Sequence, residues 1–176
     1  HYDVSWKYVG KTRSNQGTKE ERLAYFAEYV SKAHSLGMKV VMDCVYHGTA
    51  INSPLVTEHP DWYKYDAEGN IVKNNFGLPQ FDTSKTEVQD YIINVTKFWV
   101  DNAGIDGCRI DMAHSVPLPL WAKLNNEMKK IKPSWIMIGE AFGKQVDYAL
   151  PNKESEQQGV YGFDGGWPSI FYSIGN

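Results

Sequence analysis

Two cysteines, Cys44 and Cys108, are all that this 176-residue chain holds, too few to staple a fold through disulfides. Each sits inside an apolar run, so both are expected as buried free thiols. Long hydrophobic runs are missing too: nothing reaches the about 18 apolar residues that a membrane-spanning helix needs. Neither sign of charge is in large excess. A net charge of −3 points to neither nucleic acid nor an anionic membrane surface. No glycine-rich phosphate turn follows any apolar run, which weighs against a nucleotide-binding sheet. The chain opens on His1 rather than Met, so the lack of a leader leaves localisation open.

What is present is an ordinary globular composition, 42% hydrophobic and 22% charged, with 14% aromatics that include six Trp and eleven Tyr. Such a share fits an aromatic-rich core. It fits equally a cleft lined with the flat apolar faces on which sugar rings stack.

The pattern along the chain alternates helix and strand. Thr18 and Glu21 form a capping box ahead of an apolar stripe at helical spacing, Leu23, Phe26, Ala27 and Val30. Gly37 is placed to end that helix. The β-branched run 39–45 reads as a buried strand. Residues 48–83 are polar, aromatic and Gly/Pro-punctuated without a period, a long loop or small subdomain of the kind that is usually functional. Ser84 and Glu87 suggest a second capping box before the stripe Val88, Ile92, Val95 and Trp99, and Gly104 closes that helix. A second strand is predicted over 106–112, a helix over 117–131, a third strand over 135–140, and the start of a fourth over 162–167.

Apolar strands alternating with helices mean a parallel sheet covered on its faces. A doubly wound open sheet and a (β/α)8 barrel both fit. The acids decide between them. Asp43, Asp111 and Glu140 fall at or near the carboxyl ends of successive strands, the edge on which barrel enzymes gather their active-site groups. The expected fold class is therefore α/β, a partial (β/α)8 barrel.

Cleaving a glycosidic bond takes two carboxyl groups flanking it, one ionised and one protonated. Strand alternation puts Arg109 and Asp111 on one face, and a neighbouring arginine favours the ionised form of Asp111. Glu140 ends an apolar strand, where partial desolvation favours the protonated form that a general acid needs. The plain alternative is a structural Arg109–Asp111 ion pair and a solvated Glu140.

The stretches GCRIDMA (107–113) and GEAF (139–142) resemble two short signatures of the α-amylase family of glycoside hydrolases. MDCVYH (42–47) is similar to that family's signature at the end of the third barrel strand, HYDVSWKYVG (1–10) to its segment after the second, and LPQFD (78–82) to its fifth. The order and spacing hold over nearly the whole chain. The resemblance implies roughly barrel strands 3 to 6, with 48–83 inserted after strand 3, and a retaining mechanism with Asp111 as nucleophile and Glu140 as general acid/base. It further implies that Tyr2 stacks on the sugar and that Asp43 hydrogen-bonds near the sugar or Arg109. Arg109 would hold Asp111, and His114 would contact a sugar on the leaving-group side. The implied substrate is an α-linked glucan or malto-oligosaccharide, by hydrolysis rather than transfer.

The chain departs from the family at two points. His47 stands where the family has Asn, and Gly48 where it has a substrate-binding His. Either one residue is deleted and His47 is that sugar-contacting His, the reading adopted here, or the slot has changed. No cofactor is required by the sequence. The family's calcium relies on the Asn oxygen, and imidazole is a poor ligand for so hard a cation, which argues against calcium. The family's third acid has no counterpart, and about four strands stand where a full barrel of about 250 residues has eight. Residues 1–176 are thus expected to be part of a catalytic domain and inactive alone. A non-catalytic relative used for carbohydrate binding or partner assembly is the alternative. Such relatives typically lack one of the two carboxyl groups, and both are present here.

Overall fold

The computed structural model describes residues 1–141 and 164–168. Four strands form one parallel sheet in the order β1-β2-β3-β4: Val41–Cys44, Gly107–Ile110, Ile136–Ala141 and Gly165–Pro168. The order follows the chain without reversal. A doubly wound sheet would reverse at a switch point, and no described strand does. Phe142, Gly162 and Phe163, which the sequence reading includes, lie outside the described residues.

Among the described residues four helices accompany the strands: α1 (Lys19–Ser35), the single-turn α2 (Leu55–Glu58), α3 (Thr86–Ala103) and α4 (Leu118–Ile131). The Thr18 hydroxyl accepts the Glu21 amide and Glu21 returns a carboxylate to the Thr18 amide, so the first capping box forms as the spacing predicts. At the other end Gly37 takes φ +76° while Met38 N–H donates to the Ala33 carbonyl. The second capping box does not form. Asp82 captures Ser84 through both its amide and its hydroxyl, and α3 starts one residue later than expected, with Lys85 ahead of it. Asp82 competes for a Ser two residues on, the local bond these side chains make in turns.

Side-chain alternation sets the layers. Cys44, Cys108, Ile110 and Met137 face the helices and are buried, together with Val88, Ile92, Val95 and Trp99 from α3. In a row over that face, α1 packs on α3 and α3 on α4. Asp43, Arg109 and Glu140 occupy the other face, which no described helix covers, and Val41 and Val45 beside them are exposed. One face is core and the other carries polar chemistry.

Residues 48–83 fold back on themselves. Lys64 N–H donates to Gln80, Val72 to Lys64 and Gln80 to Val72. Two turns shape the segment, each closed by a side-chain amide or carboxylate on backbone N–H groups: Asp66 takes Glu68 and Asn70, and Asn74 takes Phe76 and Leu78. The returning strand meets the end of β1, where Phe81 N–H donates to the His47 carbonyl at 3.0 Å and Thr49 N–H to Pro79 at 3.1 Å. Among the described residues no helix is long and apolar enough to cross a membrane.

Candidate active site

At the carboxyl ends of β1, β2 and β3 a single guanidinium gathers three carboxylates. Parallel register places Asp43 beside Arg109, and Asp111 follows Arg109 by two residues on the same face. Arg109 Nη1 donates to Asp43 Oδ1 and to Asp111 Oδ1, each at 2.8 Å. Its Nη2 lies 2.7 Å from Glu140 Oε1. Partial burial works against the Arg109 charge, but the Asp43 and Asp111 hydrogen bonds and the Glu140 charge more than offset it and hold its pKa above the ordinary value. Three carboxyl groups share this one cation. With Asp43 and Asp111 as carboxylates the cluster is net negative even when Glu140 carries a proton, an environment suited to a developing positive charge.

The Asp111 and Glu140 side chains are partly exposed, 28% and 14%, whereas Asp43 is open to solvent at 69%. The pair can thus meet a ligand from the open face while staying partly desolvated. Asp111 N–H donates to the Cys44 carbonyl at 2.9 Å, extending the β1–β2 pairing one residue past the strand end. Glu140 is held from its second oxygen by the Met112 amide, 3.0 Å from Oε2. The sequence reading had no place for that amide. Met112 takes φ +44°, a conformation that methionine does not favour and that no local pattern announces.

His47 is buried, with Nε2 3.4 Å from Asp111 Oδ2. Its Nδ1 has no hydrogen-bond partner. Gly48 cannot host the family's histidine on this backbone, because a Cβ there would lie 2.0 Å from the Pro79 carbonyl oxygen. His47 is therefore the imidazole that the segment after β1 brings to Asp111. In the slot where the family has Asn, this chain carries an imidazole turned to Asp111, a poor ligand for a cation as hard as calcium.

The other two expected residues sit on other elements. His114 lies half-buried in a 3-10 turn, Ala113–Ser115, directly after the Asp111–Met112 pair. Tyr2 packs edge-on against Tyr91 and Phe98 of α3, ring centroids 5.8 and 5.1 Å away, with Lys19 Nζ 5.9 Å from its ring centre. Burial raises the Tyr2 pKa. The structure thus seats Tyr2 in the helix layer.

Among proteins of known activity, the chain is 28% identical over 144 residues to a maltogenic alpha-amylase of Bacillus acidopullulyticus, covering 72% of this chain and 24% of that protein. It is 27% identical to pullulanase A of Streptococcus pneumoniae, covering 85% of this chain and 12% of that protein. Its structure matches the crystal structure of a maltogenic alpha-amylase from Thermotoga neapolitana with a TM-score of 0.69 and 30% identity, over 86% of this chain and 33% of that one. The chain thus spans about a quarter or less of these curated relatives. Residues 59–164, more than half of its length, match the family model of the alpha amylase catalytic domain. That match covers both the GCRIDMA strand end and Glu140, and with it the chain belongs to the alpha-amylase family.

Proposed function

We propose that this chain supplies the nucleophile and the general acid/base of a retaining glycoside hydrolase acting on α-linked glucans or malto-oligosaccharides. The observation that carries the reading is Arg109, whose one guanidinium contacts both Asp111 and Glu140 at the ends of adjacent parallel strands. A gap that one guanidinium can bridge is compatible with the roughly 5–5.5 Å separation of retaining enzymes. The relatives' activities, maltogenic amylase and pullulanase, support the choice of α-glucans.

In the first step Asp111 Oδ attacks the anomeric carbon as the glycosidic C–O bond breaks, and Glu140 delivers its proton to the departing oxygen. In the second, water gives a proton to Glu140 and its oxygen replaces Asp111 on the same carbon. Arg109 keeps Asp111 ionised and aimed, and Asp43 anchors Arg109 from the far side. His47 hydrogen-bonds a sugar hydroxyl beside Asp111, and His114 reaches the leaving-group side. Tyr2 remains a sugar-stacking residue on the resemblance alone.

The sheet is read as roughly strands 3 to 6 of a (β/α)8 barrel whose interior is the open polar face, with 48–83 as the loop or small subdomain inserted after strand 3. The segment works within a longer catalytic domain, and the 176 residues alone are expected to be inactive. Trapping tests the assignment. The full-length protein is treated with 5-fluoro-α-glucosyl fluoride, which forms a slow-turnover glycosyl-enzyme, and digested for mass spectrometry. A sugar adduct on the peptide bearing Asp111, absent in Asp111→Asn, is expected. An adduct elsewhere, or none in an enzyme that turns over starch, overturns the assignment.

A further inference from the structure

The geometry points to Met112 as a positioning residue: its backbone amide, presented by a strained turn, fixes which oxygen of Glu140 carries the proton. This rests on Glu140 being the acid/base, as proposed above.

Met112 has φ +44° and ψ +44° and is the one non-glycine residue with positive φ among those described. A side chain with a Cβ resists the left-handed region, so something must hold it there, and such outliers gather where strain serves a site. The restraints come from three elements. Upstream, Asp111 N–H is tied to Cys44 of β1 at 2.9 Å. The Met112 carbonyl accepts both the Ser115 amide at 2.9 Å and the Ser115 hydroxyl at 2.7 Å. The next carbonyl, of Ala113, accepts Trp121 Nε1–H at 2.8 Å from fully buried Trp121 of α4. Pinned on both sides, the turn directs the Met112 N–H at Glu140 Oε2, 3.0 Å away.

The two oxygens of Glu140 are thereby made unequal. Both have a donor in this state, Met112 on Oε2 and Arg109 on Oε1. Arg109 also holds Asp43 and Asp111, so it can leave Oε1 and keep two carboxylates. A backbone amide in a pinned turn has no second place to go. Oε2 therefore stays an acceptor, and the transferable proton resides on Oε1. Among the described residues, Arg109 meets Glu140 directly, Asp43 and Asp111 reach it through Arg109 and His47 through Asp111, and His114 sits in the 3-10 turn that packs against β3.

Backbone conformation, rather than the Met112 side chain, is the variable to test. Met112→Asn and Met112→Val both remove the thioether and both keep the N–H; asparagine tolerates the left-handed region and a β-branched residue does not. In the full-length protein acting on a maltosyl aryl glycoside, Met112→Asn is expected to stay near wild-type. Met112→Val is expected to lose about tenfold in kcat at unchanged KM, the scale of one charge-assisted hydrogen bond. Its alkaline limb should move to higher pH, because Glu140 loses a donor to its ionised form. Equal losses in both variants, or a Val variant with wild-type kcat and pH profile, overturn the inference. If Val at 112 prevents folding, the Met112 amide proton resonance decides: followed against pH, it should titrate in the wild type and stop doing so in Glu140→Gln. A resonance indifferent to that substitution overturns the contact. Glu140→Gln separates the two levels, since an active Glu140→Gln sinks the acid/base reading as well, whereas an inactive one beside a silent Met112 series sinks this inference alone.

Discussion

Gly48 and Pro79 approach so closely that a Cβ built on Gly48 would stand 2.0 Å from the Pro79 carbonyl oxygen. The contact is backbone against backbone, so no side chain can swing away to relieve it. It locks the start of the 48–83 segment to its return, and with it the His47 carbonyl that accepts Phe81 N–H. Gly48→Ala should therefore push the two strands apart at a cost of about 1–3 kcal/mol, the usual range for overpacking. Chemical denaturation of the two chains measures it. An alanine variant with the wild-type midpoint means the approach is looser than described.

Arg109 is expected to be irreplaceable by lysine. A guanidinium can serve Asp43, Asp111 and Glu140 together because its Nη atoms point along fixed, separate directions. A lysine ammonium reaches one or two of them from one point. In the full-length protein, Arg109→Lys should lower kcat/KM on the order of 10²-fold, comparable to losing one preorganised electrostatic contact. Near wild-type kcat/KM on an activated aryl glycoside speaks against the bridge as a catalytic feature.

Much of this arrangement is legible from residue order, because it depends on periods of two and 3.6. Asp43, Arg109 and Asp111 share a face by alternation, and the α3 stripe from Val88 to Trp99 is buried as its spacing predicts. Local hydrogen bonds are read less surely. Thr18–Glu21 forms its box, while Ser84 is taken by Asp82. Both pairs look alike as text, and the difference is a competing acceptor two residues away. What cannot be read is conformation imposed from a distance. Met112 is held left-handed by partners on β1 and α4, and Gly48 is required by a carbonyl 31 positions later. Tyr2 similarly takes its place from α3 rings nearly ninety positions on.

The two thiols should be silent in the folded chain and both reactive once it unfolds. Cys44 and Cys108 are free and buried under the helices. Burial pushes the Cys108 thiol well up, and the adjacent Cys44 adds to it, so little thiolate is present to react. A chromogenic disulfide reagent should titrate slowly in native buffer and count two groups in unreduced, denatured chain. A count of zero means that a bridge joins them, and rapid native reaction means that the helix-facing side of the sheet is open.

Acid should weaken the fold through Asp106, at the opposite end of the sheet from the carboxylate cluster. Its side chain is 4% exposed and meets His34 Nε2 at 2.7 Å, Lys132 Nζ at 2.7 Å and Lys39 Nζ at 3.8 Å. It also accepts the Val40 amide at 2.8 Å, while its own amide and carbonyl tie β2 to its neighbours. Burial alone would raise its pKa; the Lys132, Val40 and His34 hydrogen bonds outweigh that and hold the carboxyl well below the usual carboxylate range. The folded pKa is thus depressed relative to the unfolded value of about 3.9. The sign follows: the unfolded chain binds the proton first, so the Asp106 contribution is complete above about pH 4 and drains away as pH falls from there toward the folded value. Asp106→Ala should remove this dependence and, by leaving the half-buried Val40 amide and Lys132 without their acceptor, cost about 1–3 kcal/mol near neutral pH. Denaturant midpoints for both chains between about pH 2 and pH 7 check it. The gap between them should narrow below about pH 4, since wild type then loses what the variant never had. A gap that stays constant down to pH 2 would show that Asp106 supports the strand entry through packing rather than through its charge.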